Sequence, residues 1–202
     1  MITILKNTTH LKQRAFYHAC LFATFSLYWT VVPILLRTSL LYFTNTEIAL
    51  FGFVSIAGVL FTPTIGKLAD KSMIDSLTTI SMLLVVLSVL LLLFVKNHSI
   101  LTIILLIISG IILDVGISGN LLLGQKVIYS LDVSIRSRLN GLYMTIFFLG
   151  GAFGSFIGTY SYYKFSINTA LMIGLVLPLI ALVVHIINII KSSNSNKQSL
   201  TG

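Results

Sequence analysis

The sequence is poor in charge. Lys, Arg, Asp and Glu make up 9% of its 202 residues, and only five residues are acidic. A soluble domain carries about 25% charged residues, so a water-facing globular surface is excluded. Cysteine is nearly absent: Cys20 stands alone, which excludes an intrachain disulfide and leaves the redox compartment open. The opening stretch, MITILKNTTHLKQR, lacks the apolar core and small-residue cleavage site of a signal peptide. The net charge is +8. The basic residues flank apolar runs and form no patch, so the charge reads as membrane orientation and nucleic acid is not an expected partner.

What is abundant is hydrophobic sequence, 56% of the chain. It falls into six runs long enough to span a bilayer, at 15–36, 46–65, 76–95, 99–123, 139–163 and 167–190. The expected fold is an all-α membrane protein of six antiparallel transmembrane helices. Residues 1–14 read as a cytoplasmic, linker-like segment, 15–190 as the bundle, and 191–202 as a disordered cytoplasmic tail. Ten basic residues (Lys6, Lys12, Arg14, Lys67, Lys71, Lys126, Arg136, Arg138, Lys191, Lys197) fall on the side of the termini. Three (Arg37, Lys96, Lys164) fall on the other. The bias predicts cytoplasmic termini.

The chemistry concentrates in residues 99–129. About fifteen almost wholly apolar residues precede Asp114, which places its carboxyl about 22 Å along a helix and inside the hydrocarbon layer. A charge there costs at least ~2.5 kcal/mol against lipid. Gly110, Ser118 and Gln125 share its face by angular spacing. Two readings stand: a protonated Asp used in packing, or a residue of an ion or substrate path. The first run sets Phe22, Ser26, Trp29 and Pro33 on one face, as a stacking wall for a ligand or as interfacial anchoring. His18 reads as a satisfied residue near the inner end. Pro63, between Thr62 and Thr64, marks a bend or a hinge. The third run has no ionisable residue between Asp75 and Lys96 and is expected to face lipid. Asp75 reads as helix N-terminal capping. Gly150, Gly154 and Gly158 form a small-residue ridge for a close helix neighbour. The sixth run, with Pro178 and His185, reads as peripheral.

Gly66-Lys67-Leu68-Ala69-Asp70-Lys71, between the second and third runs, resembles the G-x-L-A-D-R/K loop of the major facilitator superfamily. Leu113-Asp114-Val115-Gly116, Gly124-Gln125-Lys126-Val127-Ile128-Tyr129, Arg136 to Met144 and Phe147 to Ser155 are similar to later helices of its bacterial efflux-type members. The resemblance implies one half of a twelve-helix fold, the C-terminal six helices, with the substrate path between the halves. It implies a secondary transporter of small solutes in the bacterial inner membrane, most simply by proton-coupled efflux. Asp114, Ser118 and Gln125 would serve transport and proton coupling, and Ser26 and Trp29 would line the cavity. Gly66, Asp70, Lys71, Arg136 and Arg138 would form a cytoplasmic gate, with Asp70, Asp132 or no residue as the acidic partner of Arg136. Partners would be the bilayer, a small-molecule substrate, and a separately encoded first half or a second copy. The other reading is a fragment or membrane subunit without transport of its own. No cofactor, metal or catalytic residue is expected. A minor enzymatic alternative is a rhomboid-like dyad of Ser118, within Gly116-Ile117-Ser118-Gly119, and His185.

Overall fold

The computed structural model describes residues 8–37, 42–69, 73–95 and 99–201. Within them the chain is helical and contains no strand. Six helical spans are long and apolar enough to cross a membrane, so the protein is an all-α, multi-pass membrane bundle.

The first span, α1, runs Thr9–Leu35. It therefore starts within the stretch read as a linker, because nothing before Pro33 interrupts it. The second span is broken into α2 (Asn45–Phe51), a 3-10 turn (Gly52–Ser55) and α3 (Ile56–Ala69). Thr44 opens it with a capping box: its hydroxyl accepts from Glu47 N at 3.3 Å, and Glu47 Oε2 accepts from Thr44 N at 2.7 Å. The break lies at Gly52, where helix propensity is low, and the Ser55 hydroxyl caps the Gly52 carbonyl at 2.8 Å. Pro63 sits inside α3, with Thr62 donating to the Gly58 carbonyl at 3.1 Å.

The third span, α4 (Ile74–Leu93), corrects an expectation. Rather than lying out in lipid, it buries Met82, Val85, Val89 and Leu92, together with Thr78, Ser81 and Ser88. The groove that receives it is cut into α5 (Ile100–Tyr129) by glycine. A Cβ at Gly116 would stand 2.8 Å from the Ser81 carbonyl oxygen, and one at Gly119 2.9 Å from the Ser81 hydroxyl. The opposite face of α4, with Ile80, Leu83 and Leu87, stays exposed. A helix that is apolar all round announces no buried side in its sequence.

After a 3-10 turn at Val133–Ile135, α6 runs Arg136–Lys164. Its glycine ridge meets α1. Added Cβ atoms at Gly150 and Gly154 would run into the carbonyl oxygens of Ala19 and Ala23, and one at Gly158 would come within 2.7 Å of Leu27. Thr30 and Ser155 hydroxyls bond across the same seam at 2.8 Å. The last helix, α7 (Ile167–Thr201), packs on α1 and α4, and Thr24 donates to its Gly174 carbonyl at 3.0 Å. It carries polar partners at the bundle's terminal end and so is more than a peripheral strut. It also continues as helix past Ile190, through the stretch read as a disordered tail, since no Gly or Pro follows Pro178 before Thr201.

α1 is the axis of the bundle, bordered by α5, α6 and α7. The second span leans chiefly on α5 and is the least enclosed: Phe53, Leu60 and Phe61 are exposed. α6 likewise presents Phe148, Leu149, Phe153 and Phe156 outward.

Candidate functional site

Asp114 lies at the seam between α3 and α5. It is buried at 5% exposure, and its main chain lies against Gly58. A Cβ on Gly58 would stand 2.6 Å from the Asp114 carbonyl oxygen and 2.8 Å from its Cβ. One turn earlier, a Cβ on Gly110 would stand 2.7 Å from the Val54 side chain. The pair Gly110 and Gly58 thus lets the second span lie close along α5 at Asp114. Asp114 Oδ2 has no hydrogen-bond partner among the described residues. Ser118 and Gln125, on the same helix, are half-buried, and Ser118 lies one turn beyond Asp114.

Behind this seam, Tyr28 of α1 reaches α5. Its hydroxyl donates to the Leu106 carbonyl at 3.0 Å and meets Ser109 Oγ at 3.0 Å. Trp29 packs against Tyr28, Phe25 and Phe51, and its buried Nε1 has no hydrogen-bond partner among the described residues. Ser26 faces α6, where a Cβ on Gly151 would stand 2.9 Å from its hydroxyl. Two open clefts are large: one of about 490 Å³ bordered by Pro33, Arg37, Asn45 and Tyr163, and one of about 580 Å³ bordered by Ser155, Phe156, Thr159 and Tyr160. Ser26, Trp29 and Asp114 border neither.

Two polar groupings were not visible in the sequence. At the terminal end, Arg14 is nearly buried and joins α1 to α4: Nη2 donates to Asp75 Oδ1 at 3.0 Å and Nη1 to Thr78 Oγ1 at 2.6 Å. His185 Nε2–H donates to the Asp75 carbonyl at 3.2 Å, its ring against Tyr17, whose hydroxyl accepts from Asn188 at 2.6 Å. Together they border a cleft of about 160 Å³. Deeper in, His18 Nδ1 lies 2.7 Å from Asn120 Nδ2, with both side chains enclosed. The signal that could have found Asn120 is an amide within an apolar run, which must find a partner inside the bundle.

Of the gate residues, Gly66 packs on Leu122 of α5, where a Cβ would find ordinary 3.6 Å contact. Asp70 and Lys71 lie outside the described residues. Arg136 turns back on the end of α5: Nε and Nη2 donate to the Tyr129 carbonyl at 3.2 and 2.9 Å, and its guanidinium lies 5.6 Å from that ring. Arg138 is exposed. Asp132 bonds Ser134 through its hydroxyl at 2.7 Å and its backbone N–H at 2.8 Å. A Ser118–His185 dyad needs the His185 nitrogen on serine; here Nε2 is on the Asp75 carbonyl.

The six apolar spans agree with what the comparisons find. The model of the Major Facilitator Superfamily matches residues 15–201. The chain belongs to the major facilitator superfamily. Among curated proteins, this major facilitator chain is 33% identical over 147 residues to the uncharacterized transporter YgaY of Escherichia coli O157:H7 and to its counterpart in Escherichia coli K12. The matched stretch covers 73% of this chain and 36% of each relative, so the chain spans well under two thirds of their length. No solved structure matches it significantly.

Proposed function

We propose that the chain works as the C-terminal half of a secondary active transporter, exporting small solutes in exchange for protons, with Asp114 as the proton- or cation-binding group. The observation that carries this reading is Asp114 itself: buried, with its main chain against Gly58 and a carboxylate oxygen that no described residue satisfies. A carboxylate so placed is costly as an anion until water, a proton or a cation reaches it. Lifting the second span off α5 would admit one. That span and α6 present apolar faces outward, which suits a first six-helix half, separately encoded or a second copy, across a central path. The ten-to-three charge bias favours cytoplasmic termini in the bacterial inner membrane. Ser118 and Gln125 would extend the polar line along α5, and the loop around Gly66, with Arg136 and Arg138, would close the inner side.

The test is counterflow in proteoliposomes holding the chain with a first-half partner, an imposed pH gradient, and ethidium as the probe cargo. Asp114→Asn should insert normally, by circular dichroism, yet lose gradient-driven transport, while Asp114→Glu retains part of it. Wild-type gradient-driven transport by the Asn variant would overturn the assignment. A wild-type chain that binds its partner and moves neither protons nor dye would favour the second reading, a membrane subunit without transport of its own.

A further inference from the structure

We infer that the open cleft at the end of the bundle opposite the termini binds a small organic anion, an oxyanion carried on an apolar body. Three elements build it. Pro33 and Ile34 of α1, with Arg37 just beyond that helix, form one wall; Asn45 and Ile48 of α2 form the second; Tyr163 of α6 completes the rim. The chain folds this way because the Phe43 N–H donates to the Leu36 carbonyl at 3.0 Å, pinning the start of α2 beside the end of α1. Phe43 and Ile48 then pack on the main core. The cleft holds about 490 Å³. Sites for small ligands run from about 300 to 1,000 Å³, mostly apolar with a few placed polar groups. Pro33, Ile34 and Ile48 supply the apolar part here, and Arg37, Asn45 and Tyr163 the polar part.

Charge decides the ligand class. Among the described residues Arg37 has no ion-pair partner, and no carboxylate of theirs borders the cleft. The nearest acid in sequence, Glu47 of α2, is committed to the helix cap: its Oε2 accepts from the Thr44 N–H at 2.7 Å and from the Thr44 hydroxyl at 2.8 Å. A guanidinium matches a carboxylate or a phosphate with two parallel N–H donors. The Asn45 amide and the Tyr163 hydroxyl can donate as well, and a ligand that fills the cleft reaches them without the three meeting at one atom. Pro33 and the two isoleucines give its body an apolar floor. Asp114 does not border this cleft, so the site is separate from the intramembrane carboxylate. A lipid headgroup and a soluble acid share this chemistry.

Trp29, the single tryptophan of the chain, sits one turn before Pro33 on α1 and serves as the reporter. The full chain in phosphatidylcholine nanodiscs is titrated with para-nitrobenzoate, which quenches tryptophan, and with the neutral para-nitrobenzamide. Quenching by nitrobenzoate should saturate, at concentrations about tenfold or more below those the amide needs. Arg37→Gln should remove that difference, and Lys191→Gln, at an exposed position near the other end, should keep it. Equal quenching by the two probes in the wild-type protein overturns the inference, whether or not the variants fold. So does an undiminished difference in Arg37→Gln. Competition with dihexanoyl phosphatidylglycerol and with hexanoate separates the two sources. Displacement by the lipid alone supports a headgroup in the cleft, and displacement by hexanoate supports a soluble acid. Displacement by neither overturns the inference.

Discussion

Gly58 of α3 lies directly on the backbone of Asp114, close enough that a Cβ at 58 would stand 2.6 Å from the Asp114 carbonyl oxygen. The atoms in the way are the main-chain carbonyl and the Cβ fixed to it, so they cannot swing aside as the end of a flexible side chain would. Gly58→Val must therefore tilt α3 off α5. Overpacking of this kind costs about 1–3 kcal/mol, and the tilt opens Asp114 to water. Labelling of Asp114 by a water-soluble carbodiimide should be several-fold faster in the valine variant. Gly52→Ala is the control, because a Cβ there meets nothing within 4 Å; it should label at the wild-type rate.

The α1–α6 seam makes a sharper demand. Gly154→Leu would drive a side chain into the Ala23 carbonyl, and the two helices could not close. We expect loss of the folded, monodisperse protein on size-exclusion chromatography in detergent. Gly141, on the same helix, has open space where its Cβ would be. Gly141→Ala should be neutral or gain up to about 1 kcal/mol from helix propensity. Equal behaviour of the two variants would show that the seam is not set by glycine.

The Arg14–Asp75 pair is lopsided, with side-chain exposures of 9% and 65%. Asp75→Asn strands a buried guanidinium and should cost about 1–3 kcal/mol, the range for a lost charge-assisted hydrogen bond. Arg14→Met keeps the apolar stem and leaves a carboxylate that turns to water, for under about 1 kcal/mol, as for exposed pairs. Unfolding midpoints in detergent should rank wild type, then Arg14→Met, then Asp75→Asn. The reverse order would mean that burial of Arg14 does not govern the pair.

Asp132, in the turn before α6, is held below the usual carboxylate value of 3.8 by the Ser134 hydroxyl first and the Ser134 backbone N–H second. A depressed folded value means that the turn's hydrogen bonds are fully present above the usual value and are lost as pH falls through the folded one. Ser134→Ala removes the larger contribution. The Asp132 carboxyl resonance in that variant should titrate at higher pH than in the wild type; an unchanged midpoint would refute the hydroxyl's role.

Six spans, their number and type, were legible because a bilayer requires about twenty apolar residues per helix and admits little else. So was the loneliness of Asp114, since one carboxylate in fifteen apolar residues is visible without coordinates. The glycine spacing on α6 announced a close neighbour without naming α1. Pairings across the fold were not legible. Arg14 meets Asp75 from 61 residues away, and His18 meets Asn120 from 102. Nor was the buried side of α4, whose leucines and valines look alike on every face. Hydrophobic periodicity is a property of one helix and marks a boundary only where the two sides differ. Inside a membrane the lipid side and the protein side are equally apolar, so the choice of face falls to small residues and hydrogen bonds on neighbouring helices, which only the assembled bundle brings together.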